Sequence, residues 1–341
     1  MSLKNLSVIK KIPKFLRVKC RDKRIIKIYK NFKKSLNIKE NYIVAVSGGP
    51  DSLALAFLAK IYSIENKLVS KYFIVDHKLR SESTKEAKSV KKVLKQHSIN
   101  AEILTWRGKK PLKNIQSLAR KKRYELLIEK CEKLKINNIL LGHHQDDLFE
   151  NFFIRLLRGS GLKGLVSLDK KSKIENKNLI RPLIHQKKKD LLFISKHVFG
   201  FYVKDPTNLD QKFQRIKIRK LIEELQKSGL DKKKFMKTIE NLKNSNSIVD
   251  FYTTENLKKN TFFSFKKEQL IINKLFFQQP QEIIFRALSK SLILIGKKYY
   301  PARGKKLEKL IKDLRENRFS KATLGGCVIE KVDQTVIISK E

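Results

Sequence analysis

The sequence predicts an α/β protein: a parallel, doubly wound sheet, then a smaller, mainly helical domain ending in a β-hairpin. Three observations carry that prediction. From about residue 41, short apolar runs alternate with helical segments. From about residue 212 to 315 the alternation gives way to helical patterns such as "IKIRKLIEELQK" and "EIIFRALSKSLILIG". Near the end, "ATLGGCVIEKVDQTVIIS" places two β-branched runs around a polar turn.

The elements follow in order. Residues 1–40 read as a basic arm with some helical periodicity. "YIVAVS" reads as a buried strand, followed by a helix from about Ser52 to Ser63. "KYFIVDH" is a second strand, and "SESTKEAKSVKKVLKQH" a helix that its opening serines and Glu82 can cap. "AEILTW" and the long helix "NIQSLARKKRYELLIEKCEKL" come next, then the strand "NNILLGHH" and the helix "DDLFENFFIRLLR". A short strand, "NLIRPLI", closes the series. Right-handed crossovers would wrap such a sheet on both faces and leave ligands beyond the carboxyl ends of its strands. The domain boundaries expected are 1–40, 41–220 and 221–341.

Composition narrows the partners. Lys+Arg number 78 against 33 Asp+Glu, a net charge of +45. Neutralising phosphates releases counterions, so a nucleic acid is the first partner to expect. No run of about 18 apolar residues occurs, so no membrane-spanning helix is expected, nor is the N-terminus of signal-peptide type. Cys20, Cys131 and Cys327 lie far apart, without a C-x-x-C pair, which fits a reducing cytoplasm and argues against a cysteine-ligated metal.

Two stretches carry chemistry. "SGGPDS" joins the first strand to its helix. Gly48 and Gly49 can turn successive N–H groups inward as an anion nest, and the helix N-terminus adds positive potential. Ser47 and Ser52 supply hydroxyls, and Asp51 could orient a magnesium ion on phosphate. It is not a Walker A loop. The second stretch, "GHHQDDLFEN", gathers His143, His144, Asp146, Asp147 and Glu150 at the start of a helix in a very basic protein. His143, Asp147 and Glu150 can share one face. Helix capping, magnesium binding, recognition of a cationic substrate and ligation of a transition metal by the histidines are the alternatives there. "GSGLKG", residues 159–164, fits a dinucleotide fingerprint but follows a helix instead of a strand, so no nicotinamide site is expected.

"SGGPDS" resembles the PP-loop of the N-type ATP pyrophosphatases, whose fold is adenine nucleotide α-hydrolase-like. "AVSGGPDSLAL", "VDHKLRSESTKEA", "NIQSLARKKRYELL", "LLGHHQDDLFENFFIRLLRGSGLKGL", "RPLI" and "DPTNLD" occur in the order seen in the tRNA(Ile)-lysidine synthetase family. The resemblance covers about residues 41–220, and "TLGGCVIE" is similar to that family's substrate-binding domain. It implies a ligase that uses ATP to adenylate C2 of the wobble cytidine in the CAU anticodon of isoleucine tRNA. L-lysine then displaces AMP, with lysidine and pyrophosphate as the other products. By motif, Ser47, Gly48, Gly49, Pro50, Asp51 and Ser52 would hold ATP and magnesium, with Asp76 and His77 near the adenosine. His143, Asp147 and Glu150 would form the active site, Asp147 and Glu150 holding lysine, and Arg120, Arg123 and Arg215 would lie near nucleotide or RNA. A homodimer stays open.

The sequence departs from the family at "RIKIR", where Ile216 and Lys217 replace Asn and Arg. The second C-terminal domain of longer members is not expected. A PP-loop thiolase would need cysteines near the site, and a glutamine-dependent synthetase an amidotransferase cysteine. A nonenzymatic RNA-binding protein would not place acids at a strand end. The aromatic residues form no recognised stacking motif and read mostly as core.

Overall fold

The computed structural model describes residues 19, 21–108, 115–203, 214–298, 302–316 and 318–341. Cys20 and "DPTNLD" lie outside them. The chain forms two compact units, Met1–Leu230 and Asp231–Glu341.

The first unit contains, in order, α1 (Lys23–Leu36), β1 (Tyr42–Val46), α2 (Pro50–Asn66), β2 (Ser70–Asp76), α3 (Ser83–Gln96), β3 (Ala101–Thr105), α4 (Ile115–Lys133), β4 (Asn138–Leu140), α5 (Gln145–Leu156), β5 (Lys171–Ile174), β6 (Lys177–Ile180), α6 (Lys188–Ile194) and α7 (Gln214–Lys227). The sheet order is β3-β2-β1-β4-β6-β5. All pairs are parallel except β5 with β6. Strand order therefore reverses between β1 and β4, and the segments after those two strands flank the crevice where such sheets bind ligands.

Period-two alternation divides β1 between two cores. Tyr42, Val44 and Val46 join α1, α2, α3 and α6 on one face. Ile43 joins Leu127, Ile128 and Cys131 of α4 on the other. The sheet is doubly wound, as expected. Residues 1–40 are not simply an arm: Ile25, Ile28, Phe32 and Leu36 of α1 are buried in the first core. Their spacing makes one apolar stripe, while the lysines of α1 face water. The strand expected at "NLIRPLI" ends at Ile180, and Arg181 begins a turn.

The second unit contains α8 (Lys232–Asn260), β7 (Thr261–Ser264), β8 (Gln269–Ile272), α9 (Gln281–Gly296), α10 (Gly304–Arg315), β9 (Lys321–Thr323), β10 (Cys327–Val332) and β11 (Thr335–Lys340). The expected terminal hairpin is β10–β11. It lies within an antiparallel sheet of order β7-β8-β11-β10-β9, because residues 261–272 form a second hairpin inside the stretch read as helical. Leu270, Ile272, Ile329, Val336 and Ile338 pack that sheet against α9 and α10. Among the described residues, no helix is long and apolar enough to cross a membrane.

Candidate active site

The turn after β1 is built around two residues. Gly48 has φ +86°, and a Cβ there would lie 2.5 Å from Cγ2 of Val90 and 3.0 Å from Cγ2 of Val203. Its carbonyl accepts a hydrogen bond from the Val203 amide at 2.9 Å. Ser52, in the first turn of α2, accepts hydrogen bonds from the amides of Ser47 and Gly48, each at 3.1 Å, and donates to the Gly49 carbonyl at 2.9 Å. The expected nest is thus altered. Two of its N–H groups close onto Ser52, leaving the Ser47 hydroxyl, 3.2 Å from that of Ser52, and the orphan amides of the first turn of α2 to meet an anion. Pro50 occupies the first turn, where its missing N–H removes no helical bond.

The turn after β4 approaches from the other side of the crevice. A Cβ at Gly142 would lie 3.3 Å from the backbone of Asp51 and Ser52, so only glycine allows this approach without displacement. His144 caps α5: its Nδ1 accepts the Asp146 amide at 3.2 Å, while Asp147 Oδ2 accepts the His144 amide at 2.9 Å. His144 Nε2 lies 3.5 Å from Asp51 Oδ2 and 3.6 Å from Asp147 Oδ2. Asp51, His144 and Asp147 are therefore brought together, and the capping role weighed for the acids is real for Asp147.

Electrostatics sharpen the arrangement. Burial disfavours a charged His144, but the flanking Asp51 and Asp147 outweigh it and hold the ring above the ordinary histidine range. Burial drives His143 well below that range; Asp147 opposes this, and Arg181, Arg120 and Arg215 reinforce it. Burial also works to raise Asp147, yet His144, His143, the His144 amide and Arg215 hold its carboxyl low. The buried Oδ1 of Asp51 and Nδ1 of His143 have no hydrogen-bond partner. These are groups that a bound ligand can satisfy.

Glu150 is engaged through one of its two oxygens. It is 2% exposed, and its Oε1 accepts a 2.6 Å hydrogen bond from Arg219 Nε on α7. Its Oε2 is buried without a partner. Burial raises the Glu150 carboxyl, although Arg219 counteracts it. Arg219 is itself raised: burial lowers it, and the Glu150 contact more than compensates. The hydrogen-bonded geometry, with an arginine that stays charged, makes this an ion pair. Sequence reasoning missed Arg219, which stands four residues beyond Arg215 on the same helix.

Asp76 is engaged locally. Its carboxylate accepts hydrogen bonds from the Lys78 amide, Ser83 and Thr84 at 3.0, 2.8 and 2.6 Å, which fixes the approach to α3. Burial alone would raise it; those donors bring it down. His77 Nε2 accepts from Arg123 Nε at 3.4 Å, and its Nδ1 is buried without a partner. Burial, aided by Arg123, lowers His77 to about 4. Arg120 lies over the Tyr124 ring, 5.2 Å from its centroid. Arg215 is exposed at the start of α7, close enough for its charge to act on Arg123, His143, Asp147 and Glu150. Arg181, quoted in "RPLI" but given no role, is 4% exposed and adds to the positive field on His143.

Among the described residues, no group of three or more His, Cys, Asp or Glu forms a metal-ligand set, so the two histidines find no support as a transition-metal site. The two described cysteines are buried, and burial pushes the Cys131 thiol up to about 11. It is a packed thiol, not a nucleophile.

Comparison with known proteins identifies the family. Residues 20–225 match a PP-loop domain. A tRNA(Ile)-lysidine synthase of Orientia tsutsugamushi is 36% identical over 310 residues, 87% of this chain and 69% of the relative. One from Wolbachia pipientis is 33% identical over 303 residues, 87% of this chain and 70% of the relative. In fold, a U34-tRNA thiolase from Methanococcus maripaludis superimposes with a TM-score of 0.53 at 18% identity, over 64% of this chain and 78% of that one. The PP-loop at the reversal point of the sheet and relatives that match most of its length place the chain in the tRNA(Ile)-lysidine synthase family of enzymes.

Proposed function

We propose that the protein joins L-lysine to C2 of the wobble cytidine in the CAU anticodon of isoleucine tRNA. The cytidine C2 oxygen attacks the α-phosphorus of ATP and pyrophosphate leaves. A lysine amine then forms the C2–N bond, the C2–O bond breaks, and AMP departs with that oxygen. One observation carries this reading: His144 links Asp51 of the PP-loop to Asp147 of a buried acidic helix start. A phosphate site thereby adjoins a cation site in a protein of charge +45.

Ser47, Gly48, Gly49, Pro50, Asp51 and Ser52 shape the ATP pocket. The buried, unpartnered Asp51 Oδ1 fits a magnesium ion carried on the nucleotide phosphates. When bound, that ion neutralises phosphate charge. Asp76 stiffens the turn that presents His77 to the nucleotide, where the unpartnered His77 Nδ1 can bond a polar edge. Asp147 and the Oε2 of Glu150 receive the lysine ammonium, which needs acidic partners to leave water. His143, kept neutral by burial and nearby arginines, presents its unpartnered Nδ1 to the attacking amine and orients it, and the proton that this amine loses passes to the departing phosphate. Arg120, Arg123 and Arg215 supply positive charge for nucleotide or RNA phosphates. The second unit and α7 serve as tRNA-binding elements.

The test is incubation with ATP, lysine and a CAU-anticodon isoleucine tRNA transcript, followed by nucleoside mass analysis. Lysidine should form with AMP and pyrophosphate in equal amounts. An unmodified cytidine, with folded protein and bound tRNA, would refute the reading.

A further inference from the structure

Between β7 and β8 the second unit carries an aromatic residue that its own core does not use. Phe265 is 85% exposed at the hairpin turn. Its ring meets Phe263 edge to face, with centroids 4.9 Å apart and planes at 84°. Phe263 is partly buried and packs against the core of the unit, so the pair is anchored from below. Lys266 and Lys267 follow in the turn and are exposed, and Glu268 closes it with φ +48°. Phe262 is 66% exposed on the opposite face of β7.

A phenylalanine left this open at a hairpin turn contributes little to folding. Two features narrow what covers it. The ring's orientation is fixed by Phe263, as a stacking platform requires, and the cations beside it favour an anionic partner. Nucleic acid supplies both a π-face and phosphates at such spacing. Bases inside a duplex expose no face, so the partner must be an unpaired nucleotide.

We propose that Phe265 stacks on an unpaired base of the RNA substrate while Lys266 and Lys267 engage flanking phosphates. This rests on the reading that the protein acts on tRNA, and it assigns one contact within that recognition. The stack holds RNA in place and takes no part in the chemistry.

The experiment measures binding of the full chain to the CAU-anticodon isoleucine tRNA transcript over a range of salt, with sedimentation and melting in parallel. Phe265→Ala should weaken binding roughly 5- to 150-fold, from about 1–3 kcal/mol per stacked base. Its melting temperature and its slope of log K against log salt should not move. Phe265→Trp should restore binding. The Lys266→Ala/Lys267→Ala variant should instead reduce the salt slope by about 1–2. Wild-type affinity in Phe265→Ala would overturn the proposal, as would a tryptophan variant no better than alanine. So would a change in oligomeric mass, which would make the hairpin a self-association edge. The two readings separate cleanly. Lysidine formation by the wild type with unaltered binding by Phe265→Ala removes only the stacking contact. Weakened binding by Phe265→Ala without lysidine formation by the wild type removes only the proposed reaction.

Discussion

Nε2 of His144 lies 3.5 Å from Oδ2 of Asp51, so the N-cap of α5 touches the first turn of α2 across the point where strand order reverses. The same nitrogen is 3.6 Å from Asp147 Oδ2. Because Nδ1 accepts the Asp146 amide, a neutral ring carries its proton on Nε2, facing both carboxylates. His144→Asn keeps an excellent N-cap but cannot reach Asp51. Its melting temperature should stay near wild type, while pyrophosphate release should fall about 10- to 100-fold, the scale of a misplaced reactive group. Asp51→Asn should be more damaging still, with the fold intact. Rapid pyrophosphate release from either folded variant would show that the contact does not organise the ATP site.

Gly48 makes a prediction about space. Ala at this position meets Val90 at 2.5 Å and must adopt φ +86°. Gly48→Ala should therefore lose stability and ATP binding together. Adding Val90→Ala relieves the closer clash but neither the 3.0 Å contact with Val203 nor the backbone strain, which is about 1–2 kcal/mol. The double variant should recover only part of the lost melting temperature. Full recovery would mean that the Val90 contact alone demands glycine.

Glu150 and Arg219 separate two roles for one carboxylate. As an ion pair with Glu150 nearly fully buried, they fasten α7 to α5; removing one partner leaves a stranded charge and costs about 3–5 kcal/mol. Arg219→Ala should lower the melting temperature clearly. Glu150→Gln keeps a hydrogen-bond acceptor for Arg219 and should be milder in stability. If Oε2 also receives lysine, that variant should raise the lysine concentration for half-saturation about tenfold or more, each decade being about 1.4 kcal/mol. Unchanged lysine dependence in Glu150→Gln would restrict Glu150 to fastening.

What the sequence revealed and concealed has physical causes. The first unit was legible because "YIVAV" and "KYFIVD" are strands buried on both faces, each followed by a helix with a clear start. Gly48 was legible because a strand running into two glycines implies a turn that needs positive φ. The β7–β8 hairpin was not, since its turn uses Lys266, Lys267 and Glu268 in place of Asn or Gly. Edge strand β5, "KSKI", is too short and charged to register as a strand. Sixty-nine residues separate Glu150 from Arg219, so no local pattern could pair them. The family resemblance places Asp76 near the adenosine; that Ser83 and Thr84 also reach back to its carboxylate is a contact only the fold shows.

His77 gives the clearest dependence on pH. Its folded pKa is about 4, below the ordinary 6.5, because burial and Arg123 disfavour the charged ring. Above 6.5 the ring is neutral in folded and unfolded chains alike and contributes no slope. Between 6.5 and 4 the unfolded chain takes up a proton that the folded chain refuses, so stability falls as pH falls. The slope approaches about 1.4 kcal/mol per pH unit for one such group. His143 acts with the same sign and His144 with the opposite one, so the wild-type curve alone does not isolate His77. His77→Gln does, because glutamine can still accept from Arg123 and never titrates. From pH 6.5 to 5 the wild type should lose about 1–2 kcal/mol more than this variant. Trp106, the chain's one tryptophan, donates its amide to the Asp76 carbonyl next to His77, so its fluorescence in urea follows the first unit. Parallel curves for the two proteins would mean that His77 accepts a proton in the folded state, and that it is not the buried neutral donor proposed for the nucleotide.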